Sequence, residues 1–116
     1  MLFRSQAQRD GTLTIDDWGI TRVAPDIREA VAWDDLIWVR IYTTSAGPGV
    51  EDVFFALAGA GGKGCLVPLG LATRSNLLEV LQQRLPDFDN MQAAVAMGST
   101  DDATFTVWTR PSRTAN

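Results

Sequence analysis

The chain has 116 residues, 46% hydrophobic and 21% charged, enough for a single domain with its own core, and no apolar run long enough to span a membrane. Fourteen acidic residues against ten basic ones leave a net charge of −4, and no basic residues cluster, which argues against nucleic acid or a membrane surface as partner and in favour of a basic protein. Histidine is absent, which removes the commonest general base and metal ligand, so no cofactor or metal is expected.

The N-terminal stretch "MLFRSQAQRDG" has no apolar segment ahead of its charges, so a signal peptide is not expected. One cysteine, Cys65, cannot form an intramolecular disulfide and fits a reducing, cytoplasmic setting. "TLTIDD" (12–17) alternates Leu13 and Ile15 with polar neighbours, as a half-buried strand does. Asp16 to Gly19 reads as a turn, "GITRV" (19–23) as a second strand, and "APD" (24–26) as another turn. "REAVAW" (28–33) is a third strand closed by Asp34 and Asp35. "LIWVRIYTT" (36–44), rich in β-branched and aromatic residues, has the strongest strand character. A period of two places Ile37, Val39 and Ile41 on one face and Trp38, Arg40 and Tyr42 on the other.

After the breaker-rich loop "SAGPGVE" (45–51), the strand "DVFFALA" (52–58) points Val53, Phe55 and Leu57 inward and Phe54 outward. Gly59, Gly61 and Gly64 then repeat the spacing G-x-G-x-x-G around Lys63. A dinucleotide site requires a helix directly after such glycines, because the helix N-terminus holds the pyrophosphate. Here another strand, "GCLVPLG" (64–70), follows instead. The Walker pattern also fails, with Leu57 in place of its first glycine and Gly64 in place of the Ser or Thr after the lysine. The glycines therefore read as a hairpin connection. Pro68 marks an edge or bulge, and Cys65 alternates with Val67 and Leu69 as a small core residue.

The period then lengthens. Leu77, Leu78, Val80, Leu81 and Leu85 define a helix from Asn76 to Leu85, capped by Ser75 or Asn76 and stopped by Pro86. "DFDN" (87–90) offers a fresh cap for a second helix, "MQAAVAM" (91–97), which ends at Gly98. "TFTVWTR" (104–110) is a last strand, and residues 111–116 form a frayed polar tail. Strands in succession with short breaks imply antiparallel pairing. The expected class is α+β: one domain over residues 1–110, with a strongly bent antiparallel sheet or partial barrel, two C-terminal helices and a final strand.

Candidate chemistry is sparse. The acidic doublets Asp16-Asp17, Asp34-Asp35, Glu51-Asp52 and Asp101-Asp102 fall at strand ends or loops, where aspartate favours turns. Ser45, Ser75 and Ser99 have no histidine partner, and Lys63 lies in a glycine loop that holds a base poorly. The aromatic residues say more. Trp38, Arg40, Tyr42 and Phe54 are residue types enriched at interface hot spots, and Trp108, alternating with Phe105 and Val107, can join them. Such a face is either a second core beneath the helices or an exposed aromatic patch. Two amphipathic helices need a surface to cover, which favours the first, while Arg40 argues against full burial.

The phrases "GITRV", "VAWDDLIWVRIYTT", "EDVFFAL" and "GCLVP", followed by a leucine-rich helix and "LPDFDN", resemble small bacterial proteins of the pleckstrin-homology-like fold with a W-[DE]-[DE]-[LI] strand entry, over residues 12–90. That fold normally finishes on one long helix, whereas two shorter helices and a strand are expected here. Its lipid-binding members use a basic loop between their first strands; the corresponding "DDWG" is acidic, which speaks against phosphoinositides. Small acidic proteins of this kind look like immunity proteins, and the resemblance implies a non-catalytic inhibitor that occludes a basic toxin domain. The acids Asp34, Asp35, Glu51 and Asp52 would steer the partner, and Trp38, Arg40, Tyr42 and Phe54 would make the contact. The alternative is a small-ligand or lipid-binding module with an apolar pocket between sheet and helices.

Overall fold

The alternating segments pair into two antiparallel sheets. A computed structural model describes residues 9–45 and 52–111. Strands β1 (Thr12–Ile15), β2 (Gly19–Ala24) and β3 (Ile27–Ala32) form a meander in the order β1-β2-β3. Strands β4 (Leu36–Thr43), β5 (Val53–Gly59), β6 (Gly64–Pro68) and β7 (Ala103–Thr109) form the second sheet in the order β6-β5-β4-β7. The helices α1 (Leu69–Arg74), α2 (Leu77–Arg84) and α3 (Asn90–Gly98) fall between β6 and β7 in the chain. The α+β class and antiparallel pairing are as expected, with the strands divided between two sheets.

Local chemistry explains the turns. The Asp16 carboxylate accepts from the backbone N–H groups of Trp18 (3.0 Å) and Gly19 (3.1 Å), which closes the β1–β2 hairpin. Gly19 then passes so close to β3 that a Cβ would lie 2.2 Å from the Val31 carbonyl oxygen. The glycine run is a hairpin too: a 3-10 turn, Ala60–Gly62, joins β5 to β6, and the Gly59 N–H donates to the Lys63 carbonyl at 2.8 Å. Gly61 and Gly62 have φ of 72° and 77°, values that a side chain disfavours.

Three expectations about the elements need correction. The strand expected to reach Gly70 stops at Pro68, and a helix of six residues, α1, begins at Leu69. Pro68, with ψ of 149°, supplies the extended residue before the helix, and Leu71 and Ala72 turn into the core. Asn76 occupies the cap position of α2, but its side chain makes no capping bond; its backbone, at φ 55°, is the left-handed corner between α1 and α2. The cap expected in "DFDN" is present, with the Asp89 carboxylate accepting from the Gln92 N–H at 2.9 Å.

The third correction concerns faces. Pairing of β4 with β5 shifts register between Leu36 and Trp38, and pairing with β7 shifts between Val39 and Arg40. A bulge turns over the side chains on one side of it. Leu36 is consequently buried while Ile37 is 44% exposed, and the inward set of β4 is Leu36, Val39, Ile41 and Thr43 rather than Ile37, Val39 and Ile41. In β7 the consecutive residues Val107 and Trp108 are both buried.

The core collects Ile20 and Val31 from the first sheet, Val39, Ile41, Phe55, Leu57 and Val67 from the second, and Leu71, Leu77, Leu81 and Ala96 from the helices. The helices thus cover the face of the second sheet that carries Phe55 and Leu57. Where the two sheets meet, Arg22 reaches the outer edge of β6: its Nε donates to the Asp10 carbonyl and its Nη1 to the Leu66 carbonyl, both at 2.8 Å. Glu29, 3.6 Å from Arg22, accepts from the Leu66 N–H at 3.0 Å. Two charged side chains of the first sheet therefore satisfy the backbone of an edge strand that would otherwise invite further pairing.

Candidate interaction surface on the outer sheet face

The face of the second sheet turned away from the helices carries Trp38, Arg40, Tyr42 and Phe54, all half-buried. None of the four belongs to the core cluster or packs against it, and among the described residues no helix covers this face. The aromatic side chains therefore do not form the second core beneath the helices that two amphipathic helices suggested, and lie half-buried on the outer face. Cross-strand register builds the surface in rows. Tyr42 lies opposite Phe54 on one side and Thr104 on the other; Arg40 lies opposite Ala56 and Thr106; Trp38 lies opposite Ala58. Leu66 on β6, opposite Ala56, is 41% exposed and extends the apolar area. The small residues Ala56 and Ala58 separate Trp38 and Arg40 from β6.

The Arg40 guanidinium lies 4.0 Å from the centroid of the Trp38 ring, a cation–π contact between neighbours in the strip. Tyr42 and Phe54 are opposed on adjacent strands, a cross-strand aromatic pair. Leu66 was not singled out in the sequence, although the alternation of Cys65 and Val67 inward implies it points outward.

Trp108 does not join this face. The β7 bulge directs it into the core, 5% exposed, and its indole N–H donates to the Pro86 carbonyl at 2.9 Å. It serves to attach the end of α2 to the last strand.

The acidic residues are spread rather than gathered. Asp34 and Asp35 sit in a 3-10 turn (Trp33–Asp35) before β4, at the Trp38 end of the sheet. Arg110 fastens that turn, donating to the carbonyl oxygens of Leu36 (2.6 Å), Trp33 (2.9 Å) and Asp34 (3.1 Å). Asp52 precedes β5 at the opposite end, where its carbonyl accepts from the Thr44 N–H at 2.9 Å. The Asp102 carboxylate is at that same end, accepting from the Ser45 N–H at 2.6 Å. Glu51 lies outside the described residues. Acids thus flank both ends of the aromatic strip.

No three Cys, Asp or Glu side chains converge as metal ligands among the described residues. Cys65 is buried, and burial, reinforced by the Glu29 charge, pushes its thiol up to about 12. A thiol so held is a packing group and not a nucleophile at neutral pH. No described helix is long and apolar enough to cross a membrane. Compared with known proteins, the chain matches no family model, no curated protein and no solved structure.

Proposed function

We propose that the protein is a non-catalytic binding domain that docks a protein partner on the outer face of its four-stranded sheet. The observation that carries this reading is the half-buried strip of Trp38, Arg40, Tyr42 and Phe54 on a sheet whose other face holds the core, with no described helix over it. Aromatic and arginine side chains in one patch supply contact area at low entropic cost. The net charge of −4, with Asp34 and Asp35 at one end of the strip and Asp52 at the other, favours a basic partner. In its most specific form the domain is a cytoplasmic immunity protein that neutralises a toxin by covering its basic active-site cleft; its small size, its acidity and the absence of histidine support that form.

The test is a tagged pull-down from native lysate at low and high ionic strength, read by mass spectrometry, with wild-type protein beside Trp38→Ala/Phe54→Ala. One stoichiometric basic partner, retained by wild type and lost by the variant, is the expected result. A growth-rescue assay against that partner then examines the toxin reading. A partner held equally by both proteins would place the contact elsewhere, and no partner for either would remove the reading's basis.

A further inference from the structure

On the helical side of the sheet a second feature stands apart from the aromatic strip. Helices α1, α2 and α3 leave an open cavity of about 220 Å³ against β5, lined by Phe55, Leu69, Leu78 and Met97 together with Asn76 and Glu79, the last two exposed. Sites for drug-sized ligands begin near roughly 300 Å³, so an open cavity of this size takes less than such a ligand. The space therefore suits one ring or a branched alkyl group carrying a short arm.

The charge of that arm follows from the rim. Glu79 is the one ionisable group in the lining, and it makes no ion pair among the described residues. It sits in the first turn of α2, where the helix N-terminus presents about half a positive charge. The full charge of the exposed carboxylate exceeds that half charge, so Glu79 offers an anionic contact at the cavity. The net charge of −4 adds a field of the same sign.

We propose that this cavity binds a small amphipathic cation, with an aryl or branched alkyl group against Phe55, Leu69, Leu78 and Met97 and an ammonium at the Glu79 carboxylate. The site is independent of the partner-binding strip, which lies on the opposite face of the sheet. It gives a definite chemistry to the pocket that the sequence could only place between sheet and helices.

Three probes of nearly equal shape separate the contributions: 2-phenylethylamine, 2-phenylethanol and phenylacetate, titrated into the full chain at low ionic strength and followed by methyl and amide chemical shifts. The amine is expected to bind about threefold more tightly than the alcohol, the worth of one solvent-exposed ion pair, with the carboxylate weakest. Shifts should centre on Phe55, Leu69, Leu78 and Met97. Glu79→Gln should bring the amine down to the level of the alcohol and leave the alcohol unchanged. Raising the ionic strength on wild-type protein gives the same comparison without any substitution: the amine should weaken and the alcohol should not. Equal binding of amine and alcohol, an amine preference that survives Glu79→Gln and high salt, shifts centred elsewhere, or no binding by any probe would each overturn the proposal.

Discussion

Arg22 is 8% exposed and donates to two backbone carbonyls and, at longer range, to a carboxylate, so its burial depends on partners drawn from three separated parts of the chain. Arg22→Met keeps the aliphatic stem but strips the donors from the Asp10 and Leu66 carbonyls and leaves Glu29 uncompensated. Removing one member of such a buried network costs about 3 kcal/mol, and urea unfolding should show the midpoint falling accordingly. Asp17→Asn, by contrast, breaks the 2.8 Å contact to Arg84 at a fully solvated carboxylate and should leave the midpoint where it was. Cys65 makes a second residue-level expectation. Its folded thiol titrates near 12 and its unfolded thiol near the ordinary value of 9.0, so the unfolded chain loses its proton first as pH rises. Stability from this group is complete below pH 9 and drains away between about pH 9 and 12. Denaturation curves across that range should fall more steeply for wild type than for Cys65→Ala. Parallel curves would show that the thiol does not contribute.

Strand β4 shows where element-level reading succeeds and where it stops. Its existence, span and antiparallel neighbours were legible from β-branched and aromatic residues between turn formers. Its inward set was not, because a bulge beside Ile37 obeys the partner strand's register and leaves no mark in β4's own alternation. The contrast is measurable. Leu36→Ala removes a fully buried side chain and should cost about 2–5 kcal/mol, whereas Ile37→Ala, at 44% exposure, should cost well under half as much. Equal losses in chemical denaturation would mean that the bulge is misplaced. Helix α1 was hidden for a different reason: six residues offer less than two turns, too few for a 3.6-residue period to emerge beside the strand that precedes them. The longer α2 and α3 were readable from their periodic leucines and from the Asp89 cap.

At the scale of the molecule, the acids and the aromatic residues on the candidate surface should act on different rates. Asp34 and Asp35 lie at one end of the sheet, Asp52 and Asp102 at the other, and steering responds to the field of the whole protein. Neutralising either pair to asparagine should slow association with a basic partner to a similar extent, an effect that high salt abolishes, with dissociation little changed. Trp38→Ala, Tyr42→Ala or Phe54→Ala should instead speed dissociation, by a factor corresponding to about 2 kcal/mol at a hot spot. Stopped-flow or surface-based kinetics separate the two. A dissociation rate that follows the acids and ignores the aromatic residues would move the contact off this face.

By itself the sequence determined what depends on neighbours along the chain: strands from period-two alternation, hairpins from Asp16 and the glycine run, helix ends from Asp89 and Pro86, and the failure of a phosphate loop from the strand that follows Gly64. Alternation also placed Phe55 and Leu57 inward and Trp38 and Tyr42 on the opposite face, and left open whether the helices cover that second face. Only the tertiary structure decided this, because it rests on which apolar area three helices cover, a long-range competition that no local pattern records. The same holds for Trp108, turned inward by a bulge, for Arg22, whose partners lie 12 and 44 residues away, and for the cavity at Glu79, which exists only once helices and sheet are assembled.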